Sequence, residues 1–135
     1  MKILIDTNII IDCLMNRQNY VDNAIKIFKL CETKKIKGYI SALSIPNIIY
    51  ILRKELDNFN IKKIIDTLAL IFEIIELSSE DLKNACHLNF SDYEDAIQSI
   101  HASKSKANFI ITRNSKDFLN SNIPAIMPEE FLELI

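Results

Sequence analysis

The chain has 135 residues, of which 49% are hydrophobic and 25% charged, and its formal net charge at pH 7 is −2. This length predicts one domain over residues 1–135, and the composition excludes an intrinsically disordered chain. The small acidic excess disfavours tight nonspecific binding along a nucleic-acid backbone, although a bound divalent cation would supply positive charge locally.

Apolar patterning predicts strands and helices that alternate along the chain. The predicted strands lie at residues 2–5, 38–40, 72–77, 108–111 and, more weakly, 125–127. The predicted helices cover residues 20–35 and 79–87 and begin near residues 44, 60, 92 and 128. This alternation predicts an α/β fold, a three-layer α-β-α sandwich with a mostly parallel sheet of four or five strands.

Residues that typically begin helices predict three of these boundaries. Ser78 with Asp81, and Ser91 with Glu94, have the spacing of capping boxes. Pro128 suits the first position of the last helix. If the crossovers between parallel strands are right-handed, as they nearly always are, the first and fourth strands can be neighbours.

The sequence lacks the motifs that are typical of several classes of enzyme. A single glycine, Gly38, cannot form a dinucleotide turn or a phosphate-binding P-loop, and no HExxH, CxxC or GxSxG occurs. The cysteines Cys13, Cys31 and Cys86 lie in apolar segments and are interpreted as buried thiols. We expect no signal peptide and no membrane span, and therefore a reducing, cytoplasmic environment.

Acidic and polar residues follow the predicted strands. Asp6 ends the first strand, residues 112–117 follow the fourth, and Asp92, Glu94 and Asp95 begin a helix. The carboxyl ends of parallel strands share one edge of the sheet, so we expect these groups to converge there. Converging carboxylates repel one another unless a cation lies among them, which predicts Mg²⁺ or Mn²⁺. Phosphodiester hydrolysis is chemistry that such an ion supports.

Three blocks of the sequence resemble the signature blocks of PIN-domain ribonucleases. They are KILIDTN at residues 2–8, DYEDAI at 92–97, and IITRN at 110–114 followed by Asp117-Phe118. The resemblance runs from about residue 1 to residue 130. It implies a compact α/β fold, Mg²⁺- or Mn²⁺-dependent cleavage of RNA and frequent homodimers. For many short bacterial members it also implies a VapC-type toxin role beside a cognate antitoxin.

The resemblance also implies roles for individual residues. Asp6, Asp95 and Asp117 correspond to metal-binding carboxylates, and Asp92 and Asn114 complete the predicted catalytic group. The residues predicted to orient these groups or to contact substrate are Thr7, Asn8, Asn47, Thr112 and Arg113.

Two amides stand where this family often has acids. Asn47 replaces a glutamate of the middle helix, and Asn114 replaces the aspartate of a Thr-Arg-Asp block. Each replacement removes one negative charge, so we expect weaker metal binding than in a four-acid site. An alternative function is therefore a catalytically degenerate PIN-like module that binds an antitoxin or another protein. A phosphoacceptor receiver module ranks last, because residues 72–77 offer no aspartate to close the third strand.

Overall fold

A computed structural model describes residues 1–135 except for the side chain of Phe59. The strands are β1 (Lys2–Ile5), β2 (Lys37–Ser41), β3 (Glu73–Ile75), β4 (Phe109–Ile111) and β5 (Ala125–Ile126). The helices are α1 (Thr7–Leu14), α2 (Val21–Glu32), α3 (Ser44–Leu52), α4 (Asn58–Ile71), α5 (Ser79–Ala85), α6 (Tyr93–Lys104) and α7 (Pro128–Leu134), with a 3₁₀ turn at Ser115–Phe118. None of the helices described is long and apolar enough to cross a bilayer.

The strands form one parallel sheet in the order β3-β2-β1-β4-β5. The central strand β1 aligns Leu4 with Tyr39 of β2 on one side and with Ile110 of β4 on the other. The predicted α/β class is confirmed, and the first and fourth strands are neighbours, as right-handed crossovers allow.

Helices cover both faces of the sheet. Ile3 and Ile5 of β1 are fully buried and pack in a core shared with α1, α2, α3, α4 and α7. Leu4 points to the opposite face and packs against Ala102 of α6 and Phe118 of the 3₁₀ turn. Burial on both faces explains why β1 is an uninterrupted apolar run rather than an alternating one. The side chain that follows it, Asp6, is fixed at the edge of the sheet by this packing.

One predicted capping box is confirmed and the other is wrong. Ser78 and Asp81 bond reciprocally at the start of α5. At the start of α6 the cap is Asp92, not Ser91, and its Oδ1 accepts a hydrogen bond from the Asp95 amide at 3.0 Å. Aspartate is both a strong capping residue and favoured by the helix dipole at this position. Glu94 is thereby freed from capping.

Other differences concern helix starts and cysteines. Helix α4 begins two residues before the predicted start at residue 60, because the Asp57 side chain caps it. The segment between β1 and β2 holds a second helix, α1, for which the pattern gave no bounds. Cys31 is buried as predicted, but Cys13 is only partly buried and Cys86 is exposed. The interpretation of Cys86 as a buried thiol is therefore wrong.

Gly38 is required where β2 packs against α2 and the end of α4. A Cβ atom at this position would lie 2.7 Å from Cys31 Sγ and 2.7 Å from Cδ1 of Phe72. Both neighbours are buried side chains, on α2 and at the end of α4. The glycine therefore allows close packing of the strand against these helices.

We predict that Gly38→Ala lowers the free energy of unfolding by about 1–3 kcal/mol, because the new methyl group overpacks this contact. Chemical denaturation measures the loss. Cys31→Ala removes the obstructing Sγ, so the double variant should lose at least about 0.5 kcal/mol less than the sum of the single variants. Strict additivity, or a Gly38→Ala variant as stable as the parent, would contradict the steric explanation.

Candidate active site

A cleft of about 340 Å³ opens at the carboxyl edge of β1 and β4. Five acidic side chains line it: Asp6, Asp92, Glu94, Asp95 and Asp117. The predicted residues Thr7, Asn8 and Asn114 also line it. The fold thus brings together the blocks from the start, the middle and the late part of the chain.

Asp6 is the most firmly held of these acids. Its Oδ1 accepts a hydrogen bond from the backbone amide of Thr7 at 2.8 Å, and its Oδ2 accepts one from Thr112 Oγ1 at 2.8 Å. Thr112 Oγ1 also accepts the amide of Asn114 at 3.1 Å, which ties the loop after β4 to the same point. Burial raises the pKa of Asp6, while the bonds from Thr112 and Thr7 oppose that rise. Asp6 is therefore a pre-positioned carboxylate with both oxygens oriented.

Asp95 lies half-buried on the first turn of α6. Burial raises its pKa from 3.8 to about 7, and the charges of Asp6, Asp92, Asp117 and Glu94 add to that effect in this order. The carboxylates of the cleft therefore lie within range of one another's charges. Crowding of like charge disfavours the ionised form and favours any cation that enters.

A buried polar network supports the cleft from behind. Thr7 Oγ1 lies 2.7 Å from Ser44 Oγ, and Gln98 Nε2 donates to Ser44 Oγ at 3.1 Å. Gln98 is 2% exposed. Among the described residues, neither its Oε1 nor the buried Oδ1 of Asn8 has a hydrogen-bond partner. Sequence reasoning missed Ser44 and Gln98. The spacing could have identified Gln98, which lies three residues after Asp95 on one face of α6.

Besides Thr112, two predicted supporting residues, Asn47 and Arg113, lie outside the cleft lining. Asn47 Nδ2 donates to Glu94 Oε2 at 3.3 Å and so orients a cleft acid from α3. Arg113 Nε lies 2.8 Å from Asp12 Oδ2 as an ion pair with poor hydrogen-bond alignment, and its Nη2 donates to Asp12 Oδ1 at 3.1 Å. Its guanidinium carbon also lies 4.1 Å from the ring centroid of Tyr20. Arg113 is therefore held by a buried carboxylate beside the cleft.

The carboxylate and amide side chains that line the cleft offer oxygen atoms as ligands for a metal ion. Within the described part of the chain, no three His, Cys, Asp or Glu side chains are grouped so as to hold an ion as they stand. Mg²⁺ is commonly bound by one or two carboxylates and several waters, so a protein site for this ion does not require three acidic side chains.

Asp95→Asn should stabilise the protein at about pH 8 in the absence of divalent cations, and have much less effect at about pH 4. Folding raises the pKa of Asp95 from 3.8 to about 7, so the folded chain binds a proton that the unfolded chain releases. Stability from this group is thus present at low pH and lost as pH rises through that window. Thermal unfolding at the two pH values measures the effect. Asp66→Asn, which removes an exposed carboxylate on α4, is the control for loss of a surface charge. A shift of the midpoint by Asp95→Asn that is equal at the two pH values would contradict the prediction.

This chain is similar to known proteins in sequence and in fold. The family model of the PIN domain matches residues 2–116. No curated protein matches the chain. Three similar solved structures are VapBC2 from Rickettsia felis bound to a DNA fragment from its promoter, FitAcB from Neisseria gonorrhoeae, and a toxin–antitoxin complex from Klebsiella pneumoniae.

The TM-scores are 0.71, 0.67 and 0.66, and the sequence identities are 18%, 15% and 25%. The matches cover 94%, 94% and 93% of this chain and 98%, 98% and 96% of the other chains, in the same order. The likeness therefore spans the whole fold, and the family match covers most of the sequence. The chain belongs to the PIN domain family.

Proposed function

We propose that this protein is a metal-dependent endoribonuclease that hydrolyses RNA phosphodiester bonds and acts as the toxin of a toxin–antitoxin pair. One observation carries the catalytic part of the proposal. Five carboxylates converge in one cleft, and the pKa of Asp95 is raised to about 7 by its burial and by those neighbours. A strongly perturbed carboxyl group in a cleft is a mark of a functional site.

Asp6 and Asp95, together with Asp117 of the same cleft, would hold Mg²⁺ or Mn²⁺. The fit rests on their oxygen-only donor set and on the buried, unpartnered oxygens of Asn8 and Gln98 nearby. When bound, such an ion polarises a phosphoryl oxygen and lowers the pKa of a bound water. Thr7 and Thr112 keep Asp6 oriented.

The protein side chains would prepare the site in distinct ways. In the absence of a cation, Asp95 holds its proton to a much higher pH than a free aspartate, because its pKa is raised to about 7. Binding of a cation would release that proton, so metal affinity should rise with pH through this range. Asp92 caps α6 and presents the Asp95 side chain, while Asn47 orients Glu94 at the rim.

The proposed partner is a cognate antitoxin. The similar structure from Klebsiella pneumoniae is a toxin–antitoxin complex, and the VapBC2 structure from Rickettsia felis includes promoter DNA. The matched chains share this fold over almost their whole length, which supports a toxin–antitoxin assembly for this chain. We also propose a homodimer in the cytoplasm.

A second candidate is the degenerate PIN module that binds a protein without cutting RNA. The amides Asn47 and Asn114, and the lack of a ready three-acid group among the described residues, favour it. Calorimetric titration with Mn²⁺ separates the two candidates. Site binding that Asp95→Asn abolishes supports the nuclease.

We predict that Asp6→Asn and Asp95→Asn each reduce Mg²⁺- or Mn²⁺-dependent cleavage of single-stranded RNA by at least about 100-fold, because each removes a carboxylate that would hold the ion. Rates are measured by gel with purified protein. The matched control Asp66→Asn replaces an exposed aspartate on α4 and should cleave at the parental rate. Equal cleavage by the Asp6→Asn variant and the parent would refute the proposed nuclease.

Asn114→Asp should strengthen Mn²⁺ binding roughly tenfold, since it adds a carboxylate at the cleft without disturbing the core. Asn114 is exposed, and its hydrogen bonds with described residues are made by its backbone: its amide donates to Thr112 Oγ1, and its carbonyl accepts from Asp117 N. Calorimetry measures the dissociation constant. Asn122→Asp, an exposed position outside the cleft lining, is the control for general charge and should leave affinity unchanged. Unchanged affinity in Asn114→Asp would show that this position does not reach the ion.

A further inference from the structure

Arg17 is the one basic side chain among the described residues that line the acidic cleft. Sequence reasoning assigned it no role. It lies on the loop between α1 and α2, and its side chain is 38% exposed. A single guanidinium beside five carboxylates needs an explanation, because those carboxylates repel any phosphate that approaches them.

The end of α1 determines where Arg17 lies. The helix closes at Met15, and Asn16 adopts a left-handed conformation with φ 51°. The amide of Asn16 bonds Cys13 O at 3.4 Å, and that of Arg17 bonds Asp12 O at 3.0 Å. This is the Schellman pattern, in which the chain reverses over the last helical turn. The reversal brings Arg17 back over Asp12.

The positive charge of Arg17 is only partly neutralised by its carboxylate partner. Asp12 is fully buried and faces two guanidinium groups. Arg113 contacts both of its oxygens, at 2.8 and 3.1 Å, while Arg17 Nη1 lies 3.5 Å from one of them. One carboxylate cannot neutralise two guanidinium groups, so one positive charge remains. Arg17 makes the longer contact with Asp12, and its side chain is more exposed than that of Arg113. The charge that remains is therefore that of Arg17.

We propose that Arg17 binds a phosphate of the RNA strand next to the phosphodiester that is cut, a role that rests on the proposed nuclease function. The planar guanidinium fork suits a phosphate, and its charge offsets the repulsion from the acids. Asp12, Asn16 and Arg113 are positioning residues. They hold Arg17 at the side of the cleft without contacting RNA themselves.

The test compares Arg17→Met with the parent on a single-stranded RNA oligonucleotide. KM should rise about tenfold with little change in kcat, as expected for loss of a phosphate contact. The slope of log kcat/KM against log salt should decrease by about 0.7, the value for one phosphate contact on a single strand. Arg17→Lys should retain most of the slope because it keeps the charge.

Lys62→Met, which removes an exposed charge on α4, is the matched control and should change neither KM nor the slope. Unchanged KM and slope in Arg17→Met, or a loss confined to kcat, would overturn the assignment. Fluorescence anisotropy with the same RNA on the Asp6→Asn background, with and without Arg17→Met, reads binding without cleavage. If the parent leaves RNA intact, the nuclease proposal fails. The anisotropy comparison then still decides on Arg17, since equal binding by both variants would overturn its role.

Discussion

The site depends on holding like charges together at one edge of a parallel sheet. Left free, the carboxylates of the cleft would separate, since each raises the free energy of its ionised neighbours. Asp6 cannot move away, because it follows a strand that is buried on both faces and its two oxygens are bonded by Thr7 and Thr112. Asp95 is held by helix α6. The apolar core thus maintains an electrostatic arrangement that is unfavourable in itself and that a bound cation would relieve.

Two other buried aspartates lie outside the candidate catalytic group and differ from it in their partners. Burial alone would raise the pKa of Asp81, but bonds from the Ser78 amide, Lys104 and His101 lower it to about 2. Asp12 is fully buried and faces two arginines. Both have cationic partners, whereas Asp95 has carboxylate neighbours and the opposite pKa shift. The difference in partners, rather than burial, separates the candidate catalytic acids from the structural ones.

Sequence reasoning was most accurate where a local rule acts alone. Strand β1, the capping box at Ser78 and the proline at the start of α7 follow from neighbouring residues, and the structure contains all three. It failed where two local solutions compete. Ser91 and Asp92 can both cap α6, and the structure uses Asp92, which leaves Glu94 free to accept from Asn47 on a different helix. That contact spans 47 positions and has no local signal.

By itself, the sequence determined the class of fold, the order of its elements and the acids at the strand ends, because periodicity, capping and strand burial are short-range properties. The tertiary structure alone decided which polar residues share a cleft. The sequence predicts Arg113 as the basic residue that contacts substrate and gives Arg17 no role. The fold pairs the first with both oxygens of Asp12 and leaves the second at the cleft. Such pairing depends on distances between remote segments, and these exist only once the sheet has assembled.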